Sequence, residues 1–185
     1  MACLQSSGSD MIKSLIFGFI GQDRPGLVQK LTEIVSQHGG NWQESRMASL
    51  SGVFSGIARV EVKGEDIAAL TSALEALEAM TITVRQPPDA VEATSTVAMT
   101  LNIIGPDRVG ILREVTSALS RSIANVVELE TRVGPAPMSG ELTFYSDAII
   151  EVPVAVNKGL LVERLNEIGA DLGVDILLDE IPDNQ

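Results

Sequence analysis

One short pattern occurs twice in this chain at a fixed interval. Gly21-Gln-Asp-Arg-Pro-Gly26 returns as Gly105-Pro-Asp-Arg-Val-Gly110, and Asn41 with Glu44 returns as Asn125 with Glu128, each time 84 residues later. A constant offset held across an intervening apolar helix is the trace of two copies of one folding unit, and it constrains architecture more than any local motif. In 185 residues, each copy lies near the lower end of independently stable size, so pairing of the two is expected.

Each copy reads the same way. Residues 14–20, Ser-Leu-Ile-Phe-Gly-Phe-Ile, are almost all apolar and end at Gly21, which predicts a buried central strand. After the turn 21–26, Leu27, Val28, Leu31, Ile34 and Val35 recur at helical spacing until Gly39-Gly40 stops them. Residues 41–50 and 53–62 flank Ser51-Gly52 and predict a hairpin. Asp66 is placed to cap a second helix with Ile67, Leu70, Leu74 and Leu77 on one face, and 81–85 alternates as a last strand. The second copy predicts strands over 97–104, 125–133, 141–152 and 174–181, with helices over 110–122 and 158–172. Its hairpin connection, 134–140, is longer and holds two prolines, which predicts a protruding loop at a ligand or partner surface.

The order βαββαβ is the split βαβ of ferredoxin-like folds. It predicts two α+β units in tandem, each an antiparallel sheet with both helices on one face, the other face left for the second copy or a second chain to cover. The expected limits are an unstructured tail over 1–12, a first domain over 13–85, a linker over 86–95 marked by Pro87-Pro88, and a second domain over 96–182.

Charge narrows the partners. The net charge is −12, and the second half carries most of it: residues 1–90 hold 7 basic and 10 acidic groups, residues 91–185 hold 6 and 15. A sequence-independent hold on phosphates needs clustered Lys and Arg, so direct nucleic-acid binding is not expected. Four Phe and one Trp are too few and too scattered to stack bases. The lone Cys3 makes no internal disulfide, which fits a reducing compartment and makes the cytoplasm the expected location. No secretion pattern opens the chain and no stretch approaches the ~18 apolar residues of a spanning helix, so no membrane association is expected.

Gly-x-Asp-x-x-Gly stands between a buried strand and a helix, where unpaired N–H groups and the positive helix end meet whatever lies above the turn. An anion fits there. A nucleotide does not, because the second glycine of Gly-x-Gly-x-x-Gly and a Gly-Lys-Ser/Thr tail are missing. The carboxylate of a small amino acid suits a few N–H donors without a cluster of cations. Asp23 and Asp107 equally suit helix capping, and the glycines a purely backbone role. Arg24 and Arg108 read either as solvent-facing or as contacts to a ligand or acidic surface. Asn41 and Asn125 either bond an amino acid's polar ends or hold a left-handed turn.

Catalytic groupings are not found. His38, the only histidine, falls near a helix end, where it satisfies terminal carbonyls rather than binding metal. Cys3 has no histidine near it in sequence. Glu128 and Glu130 share a strand face, but Arg46 occupies the place of Glu130 in the first copy, which points to surface charge rather than an acid/base pair. Neither a metal site nor a cofactor is expected, and the chain is read as a non-enzyme.

A strand, Gly-x-Asp-x-x-Gly-hydrophobic, a helix, and then Gly/Ala-Asn opening a strand resembles the ACT domain, a small ferredoxin-like module that senses amino acids. Two such units on a short chain, with Asn-Trp-Gln-Glu-Ser-Arg-Met in the first and Asn-Val-Val-Glu-Leu-Glu-Thr followed by Pro-Ala-Pro-Met-Ser-Gly in the second, resemble the glycine cleavage system transcriptional repressor family. The resemblance implies a small amino acid, glycine or serine, bound between paired modules, and a homodimer that acts by contact with a transcriptional activator. Carried over by position, the ligand-binding residues are Gly21, Asp23, Gly26, Leu27 and Asn41, with Gly105, Asp107, Gly110, Ile111 and Asn125. Pro25 and Pro106 each remove an N–H donor, and Trp42 stands against Val126, so the two sites need not take the same ligand. The rival readings are a ligand-independent interaction scaffold and a regulatory subunit of an amino-acid enzyme.

Overall fold

The computed structural model describes residues 11–87 and 95–181. The chain divides into two compact units, Met1–Val91 and Glu92–Gln185, and each is described by itself. The first holds β1 (Ile12–Gln22), α1 (Leu27–Gln37), β2 (Asn41–Leu50), β3 (Val53–Lys63), a 3-10 turn (Gly64–Asp66), α2 (Ile67–Glu75) and β4 (Met80–Arg85). The second holds β5 (Thr96–Pro106), α3 (Ile111–Arg121), β6 (Asn125–Pro135), β7 (Leu142–Pro153), α4 (Lys158–Leu172) and β8 (Asp175–Glu180). The sheets run β2-β3-β1-β4 and β6-β7-β5-β8, with neighbouring strands antiparallel, as the βαββαβ order predicts. Residues 1–10 of the expected tail, 88–94 of the expected linker and Pro182 lie outside the described residues.

Alternation decides which face each strand buries. Leu15, Phe17 and Phe19 of β1 and Ala58, Val60 and Val62 of β3 turn to the helices and are all buried. They meet Leu27, Leu31 and Val35 of α1, spaced four apart on one stripe, and Leu70 and Leu74 of α2. Trp42 closes the edge by standing edge-on to Phe17, ring centroids 5.7 Å apart at 85°. The second core repeats this with Met99, Leu101 and Ile103 against α3 and α4. Burying each such side chain contributes about 1.5–3 kcal/mol. Both sheets also carry a bulge at the matching place, between Trp42 and Glu44 and between Val126 and Glu128.

Several local expectations differ from what forms. β1 starts earlier than residue 14 and runs on through Gly21 and Gln22, which pair with Phe54 and Val53. Gly21 is therefore a strand residue, and its lack of a side chain has a packing cause: a Cβ there would lie 2.6 Å from the Ala79 carbonyl oxygen. Gly105 is alike, since its Cβ would lie 2.7 Å from Val174 Cγ1 and 2.8 Å from its Cα. Asp66 does not cap α2. It closes the 3-10 turn with helical backbone angles and makes no side-chain capping bond, so the turn itself leads the chain into the helix. The second hairpin is shorter in its loop than predicted because β6 extends to Pro135; Ala136 N–H donates to Glu141 O at 2.8 Å and Gly140 N–H to Ala136 O at 3.0 Å.

Candidate functional site

The turn ahead of α1 is built by two backbone devices. Gly26 takes φ 88°, a left-handed angle that favours glycine, and a Cβ placed on it would meet nothing within 4 Å. The glycine is thus demanded by backbone angle, and the space above it is open. The first intrahelical bond runs from Lys30 N–H to Gly26 O at 3.0 Å, so the amides of Leu27, Val28 and Gln29 precede the helical ladder. Gly110 repeats the device ahead of α3 with φ 100° and Glu114 N–H bonded to its carbonyl at 3.0 Å.

Neither aspartate caps its helix: no side-chain cap bond forms at the start of α1 or α3. Asp23 is instead tied to the hairpin. Its N–H donates to Gly52 O at 2.9 Å, and its carboxylate accepts the Ser49 hydroxyl at 2.5 Å. Asp107 keeps the backbone half of this arrangement, donating its N–H to Leu142 O at 3.0 Å. Arg24 donates to the side-chain carbonyl of Gln22 and stays exposed.

These features enclose an open cleft of about 340 Å³, within the range of small-molecule sites. It is lined by Asp23, Arg24 and Gly26, by Leu27, Val28 and Gln29 of the first turn of α1, and by Phe54. Leu27 is 4 % exposed and belongs to the core, so what it offers the cleft is backbone. Of the five positions expected in this unit, Asp23, Gly26 and Leu27 line the cleft together. Gly21 and Asn41 are not among its lining residues; Gly21 sits in β1, and Asn41 is exposed at the start of β2, opposite Glu61. In the second unit Gly105 lies in β5, Asp107 and Gly110 in the turn, Ile111 in the core at 2 % exposure, and Asn125 exposed opposite Glu151.

Sequence reasoning singled out neither Ser49 nor Phe54 as a site residue. Phe54 does stack on Phe19, centroids 5.6 Å apart, but it is only half-buried and turns its free side to the cleft. His38 behaves as expected, its Nδ1 2.8 Å from Ile34 O at the end of α1. Among the described residues no group of three or more His, Cys, Asp or Glu is placed to hold a metal ion, and no helix is long and apolar enough to cross a membrane.

The cleft offers a cation, a carboxylate and free amides at a positive helix end around one small volume. That set complements a zwitterion: a carboxylate toward Arg24 and the α1 amides, an ammonium toward Asp23.

Residues 13–85 match the family model of the ACT domain. The crystal structure of an unknown protein from Galdieria sulphuraria is 33 % identical over 93 % of this chain and 100 % of its own, with a TM-score of 0.84. A crystal structure of a protein provisionally named a glycine cleavage system transcriptional repressor shares the tandem fold, with a TM-score of 0.68 at 18 % identity over 94 % of this chain and 99 % of its own. No curated protein matches the chain.

Proposed function

We propose that this chain, whose residues 13–85 match the family model of the ACT domain, is a regulator that binds a small amino acid and passes the state of its site to a protein partner. The observation that carries this reading is the cleft over the start of α1, where Asp23, Arg24 and the first helical amides meet Phe54. Glycine or serine fits best. Both present the zwitterion these groups complement, and neither has a bulky side chain to be housed.

The regulatory output is protein contact. A net charge of −12 opposes operator DNA and favours a basic protein surface, and the tandem fold shared with a protein provisionally named a glycine cleavage repressor supports contact with a transcriptional activator. In this reading the chain is a cytoplasmic homodimer without catalysis of its own.

Isothermal titration with a panel of amino acids tests it. Saturable binding of glycine or serine, weakened at least about tenfold (about 1.4 kcal/mol) by Asp23→Ala or Arg24→Ala, supports sensing. Silence across the panel overturns it and leaves a ligand-independent scaffold.

A further inference from the structure

In an antiparallel sheet, residues directly opposite one another on neighbouring strands share a face, so the strand registers define the sheet face that each unit turns away from its helices. In the first unit, Ile16 lies opposite Arg59 on one side and Arg85 on the other, and Gly18 lies opposite Ile57. Arg46 faces Ile57 from β2. In the second unit, Thr100 lies opposite Ile149 and Asp179, Asn102 opposite Asp147, and Glu130 faces Asp147 from β6. Since Thr100 and Asn102 are Ile16 and Gly18 displaced by the 84-residue repeat, the matching positions are Arg85 with Asp179, Arg46 with Glu130, and Ile57 with Asp147. Duplication has kept the backbone of this face and reversed the charge at two of its positions, Arg85 to Asp179 and Arg46 to Glu130, while Glu44, which pairs with Arg46 and Arg59, and Glu61 keep acidic counterparts in Glu128 and Glu151; the first face is left with an excess of cations and the second with an excess of acids.

Two further features say that the acidic face wants a cationic cover. Glu130 and Asp147 are like charges directly opposite each other, an arrangement that destabilises a sheet. Asn102 Nδ2, donating to Asp147 Oδ1 at 2.6 Å, offsets it in part. Both faces also leave large apolar groups half-exposed between the charges: Ile20 at 52 % and Ile57 at 50 % on the first, Ile104 at 44 % and Leu177 at 59 % on the second.

We propose that the acidic sheet face of the second unit docks the Arg59/Arg85 sheet face of the first unit in a second copy of this chain. Like faces repel, acidic on acidic and cationic on cationic, so only unlike faces pair. A two-fold axis then makes the same contact twice. A four-stranded face about 19 Å wide and 20 Å long covers roughly 400 Å², and two contacts remove about 1,600 Å² in all, the size of a stable interface. The proposal is independent of amino-acid binding, and a silent titration leaves it untouched.

Sedimentation velocity on the full chain tests it with two charge-reversed variants, Arg59→Glu with Arg85→Glu, and Glu130→Lys with Asp147→Lys and Asp179→Lys. The wild type is expected to dimerise at low salt and weaken as salt rises. Each variant alone presents two faces of like sign and is expected to dimerise at least about tenfold more weakly, whereas an equimolar mixture of the two restores the dimer, because every contact again joins unlike faces. The mixture also shows that both variants are folded. A wild type that stays monomeric, variants that associate as the wild type does, or a mixture no larger than its components overturns the proposal.

Discussion

The Asp23 carboxylate accepts the Ser49 hydroxyl at 2.5 Å and so joins the turn before α1 to the far end of β2, 26 residues along the chain. An aspartate that looks like a helix cap is instead held by a hairpin, which fixes the carboxylate at the rim of the cleft.

Ser49→Ala removes that tether while leaving the carboxylate in place. The bond is exposed, so the loss in unfolding free energy is expected to stay near or below about 1 kcal/mol. Ligand affinity is expected to fall by about three- to tenfold, because the carboxylate must then be ordered by the ligand itself. Urea unfolding and titration calorimetry on one variant separate the two effects.

Gly21→Ala and Gly105→Ala separate packing from binding. Each added methyl is driven to within 2.6–2.8 Å of atoms at the start of the last strand region of its unit, Ala79 O in one case and Val174 Cγ1 and Cα in the other. Backbone cannot yield as a flexible side-chain tip does, so each is expected to destabilise its own unit by about 1–3 kcal/mol, read as a lower urea midpoint. Unchanged stability with lost ligand binding would instead return these glycines to the site.

Ile123 holds a left-handed backbone, φ 55°, where the first copy has Gly39 at φ 67°. A β-branched residue is strained there, by about 1–2 kcal/mol, and at 76 % exposure its side chain has little packing to lose. Ile123→Gly is therefore expected to stabilise the second unit by about 0.5–1 kcal/mol after the extra flexibility of glycine in the unfolded chain is counted. A rise of a few degrees in its melting temperature checks this.

Much of the fold is legible in the sequence for identifiable reasons. The repeat, the nearly all-apolar run at 14–20 and the helical stripe from Leu27 to Val35 are local patterns, and each becomes the element it predicts. What escapes is set by partners distant in sequence. Nothing near Gly21 announces that Ala79 approaches it, and nothing near Asp23 points to Ser49. Ile123 is hidden for the opposite reason: its residue type argues against the backbone it adopts. The opposed sheet faces are present in the composition only as an acidic second half; strand register turns that imbalance into matched positions such as Arg85 and Asp179.

The central claim, that the start of α1 is an amino-acid site, is tested most directly by titrating isotope-labelled protein with glycine and with serine while following backbone amide signals. The account predicts saturable shifts centred on the amides of Leu27, Val28 and Gln29 and on Asp23, all reduced together in Arg24→Ala. If those four amides stay unmoved up to about 10 mM ligand, a concentration that would populate even a millimolar site, the turn is not a site for these amino acids and the sensing function fails.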